Sequence, residues 1–118
     1  MANIKKAALL LMNKKIEAIL IRKGATVVHE WETSKRFNLD TIAGKLEVTI
    51  DKDYKTSVAS LFCKFEDEKL AATFLANNER FNKHTGKFNF HYTDTDVLFF
   101  KFTKDLAFIL EPNNTTPC

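Results

Sequence analysis

The chain has 118 residues, the length of one domain, enough to bury roughly two thirds of the surface its unfolded form exposes. Composition is ordinary for a globular protein, 45% hydrophobic and 28% charged, and the net charge of +3 is mild. Two cysteines exclude a disulfide framework, and no apolar run approaches the ~20 residues of a membrane span.

Hydrophobic spacing predicts a helix from about Asn3 to Lys23. Its buried face reads as Ile4, Ala8, Leu11, Met12, Ile16 and Ile19, its solvent face as Lys6, Asn13, Lys14 and Glu17. Gly24 follows as a C-cap, with Arg22 and Lys23 in the last turn where the helix dipole favours cations. Ala25–Trp31 is β-branched and alternating, with Ala25, Val27, His29 and Trp31 on one face. Phe37–Leu39 and Lys45–Asp51 read as strands around a turn at 41–44, and Thr56–Phe65 as another, with Leu61, Cys63 and Phe65 alternating against Phe62 and Lys64. Asp67 has the position of an N-cap. The helix it opens would bury Leu70, Phe74 and Phe81. A loop to Gly86 leads into a short strand, Lys87–Tyr92, where Phe88, Phe90 and Tyr92 alternate with Lys87, Asn89 and His91.

Asp94–Leu110 reads two ways, as a helix through Leu98, Phe102, Leu106 and Ile109 or as a buried strand over 97–102. The helix is preferred because no turn residue interrupts it. It would leave Val97, Phe100 and Phe108 on a second face, either buried or a contact patch. The order α-β-β-β-β-α-β-α predicts an α+β fold, an antiparallel sheet of four to five strands packed with two to three helices. Residues 1–110 form the expected domain and 111–118, with two prolines, an expected disordered tail.

Charge is unevenly placed. Residues 1–36 carry eight Lys or Arg against three acids, and residues 37–118 carry ten against twelve. Such a basic end is either a solvated helix face or a dock for nucleic acid or an acidic partner. No secretory signal is recognisable, so a cytoplasmic location is expected.

Catalytic and metal patterns are weak. Cys63, His29, His84 and His91 lack the paired short spacing of a structural zinc site. The carboxylates at 66–68 and at Asp94 and Asp96 fall at helix starts, where capping and the dipole explain them. Three glycines build no phosphate loop. No catalytic residue, metal ligand or cofactor is therefore assigned, and no enzyme activity is expected. Two contact sets remain. Arg80, Lys83, His84, Lys87 and Tyr92, interleaved with Phe81, Phe88 and Phe90, have the cation-and-ring chemistry of single-strand binders. The alternative for Phe88 and Phe90 is the buried side of a strand. Trp31, Tyr54, Val97, Phe100 and Phe108 are candidate anchors for a partner or a homodimer.

Three strings stand out: Leu39-Asp40-Thr41-Ile42-Ala43-Gly44-Lys45-Leu46, Cys63-Lys64-Phe65-Glu66-Asp67 and Thr85-Gly86-Lys87-Phe88-Asn89-Phe90-His91. Over residues 37–92 the chain resembles a set of short phage and prophage proteins of uncharacterised activity, which carry L-x-T-x-A-G-x-L, C-R-F-E-D and S-G-K-W-N-F-H. It departs from them with Thr85 for Ser, Phe88 for Trp and Lys64 for Arg. The resemblance implies a small accessory protein that binds a host macromolecular machine, as an anti-defence inhibitor of the anti-CRISPR kind does, in the host cytoplasm. The alternative is a nucleic-acid-binding module built on the basic–aromatic loop and strand. Expected partners are a host protein or a protein–nucleic acid complex, with direct nucleic-acid contact and a homodimer as further options and no membrane.

Overall fold

A computed structural model describes residues 4–110. The expected helix start at Asn3 and the tail 111–118, including Cys118, lie outside the described residues. The elements run α1 (Lys6–Arg22), β1 (Thr26–Glu30), β2 (Ser34–Thr41), β3 (Gly44–Asp51), β4 (Ala59–Phe65), α2 (Glu68–Leu75), β5 (Lys87–Tyr92), α3 (Thr95–Asp105) and α4 (Ala107–Leu110). The strands form one antiparallel sheet in the order β1-β2-β3-β4-β5. This is the predicted α+β fold; the 94–110 stretch is helical rather than a strand, but it breaks at Leu106 into α3 and α4, which makes four helices where two to three were expected.

Alternation divides the sheet into two faces. Phe37 and Leu39, then Leu46, Val48 and Ile50, then Leu61, Cys63 and Phe65, then Phe88 and Phe90 are buried together with Leu9, Met12, Ile16 and Leu20 of α1 and Leu98 and Phe102 of α3. Phe37, Phe65, Phe88, Phe90 and Phe102 are fully buried, and each contributes about 1.5–3 kcal/mol through removal from water. Phe90 meets Phe102 edge-on at 5.9 Å, which fixes α3 over the end of the sheet.

One hairpin turn and two helix caps fix where these elements begin and end. At the β2–β3 hairpin the Thr41 hydroxyl donates to the Gly44 carbonyl at 2.6 Å and accepts from the Ala43 amide, and Gly44 supplies a positive φ of 92°. Asp67 caps α2 by accepting from the Leu70 amide, and Asp94 caps α3 by accepting from the Asp96 and Val97 amides, both as predicted.

Four details differ from the sequence reading. The buried stripe of α1 is Leu9, Met12, Asn13, Ile16 and Leu20, so it is rotated away from Leu11, which is exposed. Asn13 leaves the solvent face because its amide donates to the Asp51 carbonyl at 3.0 Å, pinning α1 to the end of β3. In α2, Ala71 and Leu75 are buried while Leu70 and Phe74 are exposed. Small Ala71 is the side chain that this short helix packs down. In β1 the register shifts between Val27 and His29, so Val27 stands opposite buried Phe37 while His29 stands opposite Arg36 on the other face. A bulge of this kind re-aims alternate side chains.

A chain of charges fastens α1 to the first hairpin. Lys35 meets Glu17 at 2.6 Å and Glu30 at 3.9 Å, and Lys52 meets Glu30 at 2.8 Å. The hydrogen bond from Lys52, then the charge of Lys35, holds the Glu30 carboxyl below its ordinary range. The hydrogen bond to Glu17 raises the Lys35 ammonium.

Candidate functional site

The second face of the sheet is open. Its side chains from β2 to β5 are all half-buried or exposed, in contrast to the buried face. Pairing aligns them in two rows across all five strands. One row reads His29, Arg36, Thr49, Phe62, Asn89, and the next reads Thr26, Asn38, Glu47, Lys64, Lys87. At about 4.8 Å between strands each row spans roughly 19 Å, and the rows lie about 7 Å apart.

The first row carries the rings. Phe62 is 40% exposed near the sheet's β5 side. His91 sets its ring edge-on against Phe62 at 5.3 Å and is itself held by the Ser60 hydroxyl at 3.0 Å. Asn89 accepts from the Cys63 amide through Oδ1 at 3.1 Å, which orients its side-chain amide beside Phe62. At the other end, the Arg36 guanidinium lies 4.9 Å from the Trp31 ring, and Trp31 packs on His29 at 4.0 Å. Arg36 Nε donates to the Thr49 hydroxyl at 3.2 Å and faces Glu47 at 3.6 Å. These contacts pre-set a cation and two aromatic groups before any partner arrives.

The second row carries unbalanced charge. Lys64 and Lys87 stand directly opposite each other on β4 and β5. Neither has an ion-pair partner among the described residues. Like charges placed so destabilise a strand pair. Asp40 and Glu47 on β2 and β3 stand opposite Lys45 and Lys64 in the pairing, and Glu66, just past β4, shares a hollow with Lys45, Glu47 and Lys64. Two hollows indent the face, one of about 160 Å³ lined by Asn38, Lys45, Glu47, Lys64 and Glu66. The other, of about 190 Å³, is lined among others by Arg36, Thr49, Phe62, Lys87 and Asn89. Both are smaller than the ~300 Å³ at which small-molecule sites begin, a shape that suits a ligand laid across the sheet.

The predicted contact residues separate. Lys87 lies on the open face, and Lys83 and His84 are exposed on the turn that leads into β5. Arg80 and Tyr92 are joined instead in an internal brace. Arg80 meets Asp105 of α3 at 2.9 Å, donates to the Tyr92 hydroxyl and lies 5.5 Å from the rings of Phe90 and Tyr92. Phe88 and Phe90 are fully buried and offer no ring to a ligand. Of the other set, Trp31 borders the open face. Tyr54 is half-buried beside the Lys6 ammonium at 5.8 Å. Val97 and Phe100 are exposed on α3, Phe100 to 58%, whereas Phe108 stacks on Phe74 at 5.6 Å. Sequence reasoning passed over Arg36, Phe62, Lys64 and Asn89. The signal for them is strand alternation, which sets Phe62 and Lys64 opposite in phase to Leu61, Cys63 and Phe65.

Among the described residues no three His, Cys, Asp or Glu gather as a metal site. Cys63 is fully buried under the sheet, and burial pushes its thiol pKa strongly upward, away from the reactive thiolate. No described helix is long and apolar enough to cross a membrane. No protein-family model, curated protein or solved structure matches the chain.

Proposed function

We propose that this chain is a small non-enzymatic binding protein of the phage or prophage type, acting in the host cytoplasm. It occupies a component of a host macromolecular machine, as an anti-defence inhibitor of the anti-CRISPR kind would, and its working surface is the open face of the sheet. The observation that carries this reading is Phe62, a large ring left 40% exposed beside Asn89 and His91 on a face that no described helix covers. Trp31 and Arg36 add the residue types that dominate binding energies elsewhere. The resemblance over residues 37–92 supports the same reading, since Lys64, Lys87, Asn89 and His91 of its strings lie on this face.

Tagged protein incubated with host lysate tests it. The parent and a Lys14→Ala control on exposed α1 should recover one host complex, and Phe62→Ala and Arg36→Ala should lose it. Recovery unchanged by both face substitutions would overturn the reading.

A further inference from the structure

The like-charged pair opposite one exposed ring narrows the partner. We infer that the β4–β5 half of the open face binds single-stranded nucleic acid, with a base on Phe62 and phosphates on Lys64 and Lys87. This inference rests on the open face being the working surface.

Three observations carry it. Lys64 and Lys87 form a cross-strand cation pair; Glu47 stands opposite Lys64 on β3, but neither lysine makes an ion pair among the described residues, so an anion at the β5 edge relieves a like-charge contact. Phe62 lies one row away, about 7 Å along the strand, a separation matched to a nucleotide whose base and phosphate are bound at once. Asn89 stands opposite Phe62 with its Oδ1 already satisfied by the Cys63 amide, which leaves its NH₂ to donate to a base edge. Lys83, exposed on the turn entering β5, places a further cation in the loop before Lys87.

A single strand fits better than a duplex. Stacking on Phe62 needs a free base face, which paired bases do not present, and the hollows beside it are small. Asp40 and Glu47 lie on β2 and β3, where Lys45 and Arg36 offset them, and Glu66 follows β4 beside Lys64, so Lys87 at the β5 edge is the cation farthest from these carboxylates. An acidic peptide would use the lysines but gains less from a lone ring, and the test separates it.

Fluorescence anisotropy with labelled single-stranded DNA, single-stranded RNA and duplex DNA, at low and physiological salt, tests the inference on the full chain. At least one single strand should bind more tightly than the duplex. Phe62→Ala should weaken that binding about tenfold. Lys64→Ala with Lys87→Ala should flatten the slope of log affinity against log salt by about 1.4, the share of two phosphates on a single strand. Lys14→Ala with Arg22→Ala on α1 should leave both unchanged, and circular dichroism confirms that each variant is folded. Duplex binding equal to single-strand binding, or loss on the α1 variant alone, would overturn the inference in favour of diffuse attraction to the basic helix. Absence of binding at low salt also overturns it. If Phe62→Ala then still abolishes capture of the host complex, the partner is a protein and the open-face reading stands. If capture also persists, both fall.

Discussion

Lys64 and Lys87 face each other across the β4–β5 ladder, on the open side of the sheet, one row from Phe62. Local stability would favour an opposite-charge pair there by about 0.2–1 kcal/mol. Lys87→Glu should therefore raise the urea midpoint slightly while removing single-strand binding. A variant that loses binding and stability together would point to a structural role for Lys87 instead.

Arg80 has the opposite character. Its guanidinium is spent on Asp105 and Tyr92 and lies against the Phe90 and Tyr92 rings, so it ties the loop before β5 to α3. Arg80→Ala should cost about 2 kcal/mol in urea unfolding, the range for a partly buried hydrogen bond to a charged group. Nucleic-acid affinity of the folded variant should match the parent. A selective loss of affinity with unchanged stability would return Arg80 to the contact surface.

Element order was legible because periodicity and caps agreed along most of the chain. Asp67, Asp94 and Gly24 sit where capping chemistry requires them, and the β2–β5 strands alternate cleanly. The failures share a cause, which is tertiary context. Asn13 is polar by composition yet buried by its bond to the Asp51 carbonyl, a partner 38 residues away. Val27 and His29 have the two-residue spacing of one face, but the bulge between them sends them to opposite faces. The candidate site was half legible. In the basic–aromatic segment the rings Phe88 and Phe90 serve the core, and the exposed ring beside it, Phe62, comes from the neighbouring strand. A one-dimensional pattern does not say which strands adjoin, so cross-strand rows emerge only with the pairing.

Cys63 gives a pH test of the core. Its thiol is fully buried, and burial raises its pKa well above the ordinary 9.0. The folded state therefore keeps its proton where the unfolded chain releases it. The sign follows: the contribution is fully present below about pH 9 and lost as pH rises beyond it. In a Cys118→Ser background, Cys63→Ala should remove one component of the alkaline loss, so the two stability curves converge by up to about 1.4 kcal/mol per pH unit above pH 9.5. Cys63 should also resist a thiol reagent at pH 8 until urea unfolds the chain. Rapid labelling of the native protein would contradict its burial.

Gly86 and Gly24 share a left-handed backbone but differ in surroundings. Gly86 has φ of 74°, and a Cβ there would lie 2.4 Å from the Phe65 carbonyl oxygen, while Phe65 donates its amide to the Gly86 carbonyl at 2.9 Å. Gly24 has φ of 92° with nothing within 4 Å of the same added atom. Gly24→Ala should therefore cost only the backbone term, about 1–2 kcal/mol. Gly86→Ala adds a clash with fixed backbone and should cost roughly 3 kcal/mol or more in urea unfolding. The damage is local to the turn that starts β5, so Gly86→Ala should also displace Lys87 and weaken single-strand binding in whatever fraction remains folded. Equal losses at the two glycines would mean that the turn yields without strain, and that the approach of Gly86 to Phe65 does not set the position of Lys87.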